Sequence, residues 1–325
     1  MISRMRQILT HPAVKVGYFL LLLAATAFYL VRWGDRVPEL IERVQPVWFG
    51  AAFMVSCLSS LLYTYIQYDI YRQVGAKVSF WGVFRIINIS QLGKYLPGKV
   101  LFFGNLYLLS REAGIGNRQI GASFAISMVM WIVTASLCGL PVLGYLQPAL
   151  RYSVLILPFL LLLLIHPRLL NWLLSFVQRT AGRLRGPSIA GTAAAPIAQA
   201  DPLADLGIAF YLRVAFLYLA TWALAGLGAY LCLLAFGPVE LDLYPLALAS
   251  IALGTVAGFL VLFAPVGLGV REGIGALVLL PAVGADVALL SLVLLRGITV
   301  IVDLLLAVLA MLTHPKAMSF TNVED

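Results

Sequence analysis

The sequence predicts an all-α polytopic membrane protein, with six full spans plus two re-entrant helical hairpins in an inverted repeat. Three observations lead there. Of its 325 residues 62% are hydrophobic and only 11% charged, with a mean hydropathy of +0.98, against about a quarter charged in soluble domains. Several apolar runs reach the ~20 residues that cross a hydrocarbon core about 30 Å thick. Two further apolar segments are broken by glycine and proline, and the spacing around those breaks recurs.

The first span, 14–31, follows Arg4 and Arg6 and carries Lys15 near its start, so it could pass for a secretory signal. Phe28, Tyr29, Leu30, Val31 and Arg32 follow its Ala-rich centre in place of a small-residue cleavage site, and it is expected to remain as a span. The second span is 47–68. A segment at 81–111 then breaks at Gly93-Lys94-Tyr95-Leu96-Pro97-Gly98-Lys99 into arms of about 15 residues. At 1.5 Å per residue each arm reaches roughly 22 Å, short of a crossing, so a re-entrant hairpin is expected. Its tip must be buried in protein or line a wet cavity, because unpaired backbone groups cost several kcal/mol each in lipid.

Spans at 118–139 and 148–165 follow. Residues 167–183 set Arg168, Asn171, Ser175, Arg179 and Arg183 at steps of three or four, opposite an apolar face, which reads as an interfacial helix. The Ala-, Pro- and Gly-rich stretch 186–206 reads as a flexible linker. Span 207–235, a second broken segment at 244–281 and span 286–312 complete the chain. The second break runs from Ala264 to Gly273, and its first arm alone is long enough to cross.

Pro97 lies 29 residues after Tyr68 and Pro265 lies 30 after Ala235; each precedes the next span by 21 residues. Span, hairpin and span thus occur twice, the weak internal repeat of transporter folds. An odd number of spans between the hairpins puts them on opposite sides of the membrane. The expected organisation is a first transmembrane repeat over 1–185, a linker, and a second repeat over 207–325.

With the N-terminus inside, twelve Lys and Arg fall on the cytoplasmic side and four outside, so both termini are expected to be cytoplasmic in a multi-pass protein of the cell inner membrane. The net charge of +8 comes without a basic arm, and no nucleic-acid partner is expected. Cys57, Cys138 and Cys232 lie inside apolar runs and read as small core residues. His11, His166 and His314 each stand beside a proline at the end of a run, so neither a metal nor another cofactor is expected.

The basic residues at membrane depth are the informative ones. Lys94 and Lys99 flank the Pro97-Gly98 tip, where two ammonium groups and the free N–H groups of a half-helix starting near Gly98 suit an anionic head group. Snorkelling to interfacial water is the other reading. Arg271 and Glu272 follow a turn made by Gly267 and Gly269. Arg271 is either a fork for phosphate or carboxylate, or part of an ion-pair network that locks the hairpin. Arg296 and Asp303, seven apart, share one stripe of the last span. They face a substrate path, or pair with Glu272 and Arg271 respectively. Asn88, Ser90, Gln91 and Asn105 make a polar pocket plausible near the first tip. Asp69, Arg85 and Arg213 are read as interface anchors, and Tyr63, Tyr65, Tyr68 and Tyr71 as an aromatic belt. No GxSxG, HExxH, P-loop or paired-carboxylate signature occurs, so the chain is expected not to be an enzyme.

The stretches 93–99 and 265–273 resemble the two signature segments of the lysylphosphatidylglycerol synthase transmembrane-region family, over about residues 14–313. The resemblance implies two re-entrant hairpins and a role in handling anionic or aminoacylated lipids, or sugars linked to polyprenyl phosphate. Members include the membrane half of the multiple peptide resistance factor, which is fused to a soluble aminoacyl transferase; no such domain is expected in this chain, and the synthase activity is not carried over to it. Family members often carry a Glu-Arg pair where this sequence has Met130-Trp131, whereas Arg296 keeps the matching arginine. The expected function is a flippase-like transporter of an anionic phospholipid or a polyprenyl-phosphate-linked precursor. The alternative is a non-transporting membrane partner of a glycosyltransferase or other envelope enzyme. The expected substrate-binding set is Lys94, Pro97, Gly98, Lys99, Gly267, Gly269, Arg271, Glu272, Arg296 and Asp303.

Overall fold

The computed structural model describes residues 44–95, 100–145, 206–261, 267 and 269–312. The expected spans 14–31 and 148–165, the interfacial helix and most of the linker lie outside these residues. Within them the chain is all helical: α1 (Pro46–Gln73), α2 (Phe80–Leu92), α3 (Val100–Glu112), α4 (Asn117–Cys138), α5 (Ile208–Leu234), α6 (Tyr244–Leu260), α7 (Val270–Val283) and α8 (Ala285–Leu312), joined in places by short 3-10 turns.

The ends of these helices follow local chemistry. Pro46 opens α1, where its missing N–H is not needed. Ser79 starts α2, its hydroxyl accepting from the Gly82 N–H at 3.1 Å. Gln119 reaches back to accept from the Gly116 N–H at 3.0 Å, fixing the start of α4.

Among the described residues, five helices are long and apolar enough to cross a membrane. Four are the expected spans, shifted by a residue or two except that α1 continues to Gln73. That extra turn stays helical because its charges are satisfied: Arg213 on α5 forks onto Asp69 with bonds of 3.0 and 3.1 Å. The pair expected to anchor at the interface therefore joins two helices. The fifth, Leu241–Phe259, is α6 with its leading turn, the first arm of the second broken segment. The arms of the first broken segment, α2 and α3, have 13 residues each and span roughly 20 Å.

The helices are apolar on their outer faces as well as their inner ones. On α8, Leu295, Ile298, Val302, Leu306 and Ala310 are buried, whereas Ile301, Leu304, Leu305 and Val308 are exposed. An apolar exposed stripe of this kind is what a lipid-facing helix requires. α1 packs on α5, α2 on α8, α4 on α6, and each broken pair, α2 with α3 and α6 with α7, packs on itself.

Small residues set the closest approaches. A Cβ on Gly254 of α6 would lie 2.5 Å from the Arg271 carbonyl oxygen, and one on Gly267 would fall on the backbone of Gly258. Gly254→Ala is therefore expected to cost about 1–3 kcal/mol in a detergent denaturation measurement. Gly273→Ala, one turn into α7 with nothing within 4 Å, should be neutral or stabilise by up to ~1 kcal/mol. Equal effects of the two would contradict this packing.

Candidate functional site

α2 runs into a 3-10 turn, Gly93–Tyr95, that carries Lys94 and Tyr95. A side chain at Gly93 would collide with the backbone of Leu101 and Phe102, so the reversal into α3 is as tight as glycine allows. The turn lies against α8. Lys94 Nζ is 2.7 Å from Asp303 Oδ2, and the Tyr95 hydroxyl donates to the same oxygen at 2.5 Å. Arg296, two turns earlier on α8, has its guanidinium 5.9 Å from the Tyr95 ring centroid, and the Lys94 ammonium is 5.4 Å from that centroid. Each lies within the range of a cation–π contact.

The second break is shaped by Gly267 (φ 68°) and Gly269 (φ 80°), a backbone geometry that L side chains resist. It opens α7 with Arg271 and Glu272. Glu272 Oε2 accepts from the Gly269 N–H at 2.9 Å, capping its own helix. Its other oxygen, Oε1, stands 4.0 Å from Arg296 Nε, beyond hydrogen-bond reach. Among the described residues both this buried oxygen and Arg296 Nη2 lack a hydrogen-bond partner. A carboxylate and a guanidinium thus face each other with bonding capacity left over.

Lys94 from the first break, Arg271 from the second, and Arg296 and Asp303 from α8 all line one cavity of about 340 Å³. Glu272 lies one contact behind Arg296, and Gly267 and Gly269 shape the turn below Arg271. Pro97, Gly98 and Lys99 lie outside the described residues. The pairing of Arg296 with Glu272 has the partners the sequence suggested. Asp303 has a different partner, Lys94 in place of Arg271, because the turn after α2 is the one that packs on that stretch of α8.

Much of the cavity wall is made of residues outside the expected binding set. Tyr63 and Tyr71 do not join an interfacial belt: Tyr63 lines the cavity, and Tyr71 is buried with its hydroxyl 3.1 Å from Ser110 Oγ. Gln67, between them on the same face of α1, donates to Ser127 Oγ at 2.6 Å and to the Tyr218 hydroxyl at 3.0 Å. The signal was present, since Tyr63, Gln67 and Tyr71 recur every four residues, as do Ser123, Ser127 and Trp131 on α4. Asn88 and Gln91 line the cavity as expected; Ser90 is buried and bonds the Ile86 carbonyl at 2.6 Å. Trp131, standing where the resemblance leads one to expect arginine, faces the cavity with Trp222 and Phe259, each 5.5 Å away between ring centroids.

A family model described as the lysylphosphatidylglycerol synthase TM region matches residues 13–307. No curated protein matches the chain. The match corrects the expectation that the chain is not an enzyme, because the family is the membrane region of synthase-like proteins and is associated with lipid-modifying enzymes. The expectation rested on the absence of motifs that are local in sequence, and such motifs do not register an association carried by the family as a whole. With five helices of spanning length among the described residues, this is a multi-pass integral membrane protein of lipid-related biology. The chain belongs to the lysylphosphatidylglycerol synthase transmembrane-region family.

Proposed function

We propose that the chain is a flippase-like transporter that carries an anionic lipid or a polyprenyl-phosphate-linked precursor across the inner membrane. The observation that carries this reading is the convergence of cations from both helix breaks on one cavity, inside a bundle whose outer faces are apolar. A bare phosphate pays many kcal/mol to enter hydrocarbon. Lys94, Arg271 and Arg296 offset that cost while the tails stay in lipid, and the second hairpin's N-terminal N–H groups add to them. Lys99, with Pro97 and Gly98 at the first tip, would complete the phosphate cradle.

In this reading α2–α3 and α6–α7 are re-entrant hairpins entering from opposite leaflets, within inverted repeats over 1–185 and 207–325 that are joined by the 186–206 linker. Both termini are cytoplasmic. Support for the repeat comes from the packing pattern. Exchanging α1 with α5, α2 with α6, α3 with α7 and α4 with α8 converts each principal helix contact into another that is also made: α2–α8 becomes α6–α4, and α4–α5 becomes α8–α1.

The test is reconstitution of the pure protein into vesicles containing a fluorescent phosphatidylglycerol, with quenching of the outer leaflet by dithionite. Protein-bearing vesicles are expected to lose nearly all their fluorescence, and protein-free vesicles about half. Quenching that stops at half in both would overturn the proposal, and a stable complex with a glycosyltransferase under those conditions would favour a non-transporting partner role.

A further inference from the structure

A cavity of about 340 Å³ is at the small end for ligand sites and has no room for hydrocarbon tails. Tails joined to a head group bound there must leave through a wall, between two helices that can part. The seams around the cavity differ in what holds them. α1 meets α5 through Ser59, whose hydroxyl donates to the Thr221 carbonyl at 3.2 Å, and through the Arg213 fork on Asp69. The turn after α2 meets α8 through the Lys94–Asp303 pair. α4 meets α5 where Trp222 Nε1 donates to Thr134 Oγ1 at 3.2 Å. α6 packs on α7 through glycine, and α7 packs on α8 where a Cβ at Gly275 would lie 2.7 Å from Leu292 Cδ1. Seams of these kinds are closed by polar bonds or by the close approach that small residues permit.

The seam between α3 and α4 has neither along the cavity. The two helices are consecutive, yet among the described residues they touch sparsely, and a Cβ at Gly104 of α3 would meet nothing within 4 Å. What bridges them is aromatic. Phe102 lines the cavity, and Phe103 beside it is exposed on the outer face. Phe124 of α4 lines the cavity and also meets the Phe103 ring edge to face, with 5.4 Å between centroids; Phe102 and Phe103 are 5.2 Å apart. Three rings thus run from the cavity to the lipid-facing surface, and rings without polar atoms can rotate aside with no hydrogen bond to break. The far end of α3 is pinned: Ser110 Oγ lies 3.1 Å from the Tyr71 hydroxyl, and the Tyr107 hydroxyl donates to Asn117 Oδ1 at 3.2 Å. In the proposed exchange of repeats α3–α4 corresponds to α7–α8, so the two broken segments are closed unequally against the spans that follow them.

We infer that the α3–α4 seam is the portal through which the hydrocarbon tails of a bound lipid reach the membrane, with Phe102, Phe103 and Phe124 as its gate. This rests on the reading of the cavity as a head-group site.

The experiment bridges the seam in the full chain. Phe103→Cys and Phe124→Cys are introduced with Cys57, Cys138 and Cys232 changed to alanine. The new pair is joined with bis-maleimidoethane or, in the reference sample, capped with N-ethylmaleimide. In one measurement Trp33, Trp48, Trp81 and Trp172 are also replaced by phenylalanine, so that fluorescence comes from Trp131 and Trp222 on the cavity wall. The vesicles are phosphatidylglycerol brominated in mid-chain. Tail bromines are expected to quench the capped protein, and bridging is expected to remove most of that quenching. In the other measurement, dithionite-monitored lipid movement is expected to be about tenfold slower in the bridged than in the capped protein when about nine in ten molecules are bridged. Quenching that is the same in bridged and capped protein would overturn the portal. So would lipid movement that proceeds equally in both, which leaves the transport reading standing. Quenching that bridging removes, in vesicles where neither sample moves lipid, would uphold the portal and remove the transport reading.

Discussion

Replacing Lys94 and Arg271 together by alanine is expected to slow protein-dependent lipid movement in reconstituted vesicles by about 10²-fold or more. A hydrogen bond to a charged group contributes about 1.5–3 kcal/mol net. Losing one from each break removes about 3–6 kcal/mol of stabilisation for a phosphate at mid-membrane, or roughly 10²–10⁴ in rate. The two residues come from different helix breaks and share one cavity, so a single phosphate can reach both. Lys94→Ala alone also strips Asp303 of the ammonium 2.7 Å away, and an inactive double variant could reflect a damaged fold. Adding Asp303→Asn removes the orphaned charge; the triple variant is expected to regain stability in denaturant and to stay inactive. Arg213→Ala with Asp69→Ala, a partly exposed pair away from the cavity, should change the rate by less than about threefold, as exposed ion pairs contribute ~1 kcal/mol or less. Unchanged movement in the Lys94 and Arg271 double variant would remove the transport reading.

The helices were legible in the sequence because lipid makes a demanding solvent. A span must be long, apolar and unbroken, and the bounds of α1, α4, α5 and α8 follow from that rule to within a residue or two, apart from the last turn of α1. That turn was missed because Asp69 and Arg72 look like the end of a membrane segment, whereas the fork from Arg213 ties Asp69 to α5 and the helix runs on. The site was half legible. Charges at membrane depth announce themselves, and Lys94, Arg271, Arg296 and Asp303 do share a cavity. Which cation meets which carboxylate depends on how the turn after α2 packs on α8, and no sequence spacing encodes that. The neutral wall was hidden differently. Serine, glutamine and tyrosine are tolerated at interfaces and in cores alike, so Gln67 and Tyr218 reveal their role only once three helices bring their polar atoms within 3.0 Å of one another and of Ser127.

Glu272→Ala is expected to be the most destabilising single change in the site, by about 3–5 kcal/mol in equilibrium denaturation in detergent. Truncating one member of a buried ion pair leaves the other as an uncompensated charge. Arg296 would be that residue, its side chain only 11% exposed. The same substitution removes the cap on the Gly269 N–H at the start of α7, for which about 1 kcal/mol is typical. The two contributions can be separated. Glu272→Gln keeps an oxygen for the Gly269 N–H and loses only the charge, so it should sit about 1 kcal/mol above the alanine variant. Combining Glu272→Gln with Arg296→Met deletes both charges and should recover most of the stability, since a buried pair replaced by groups of similar volume is commonly neutral or better. Phosphate-lipid binding should not recover with it. Full binding in that stable double variant would mean that Arg296 serves the fold alone, with the phosphate held by Lys94 and Arg271.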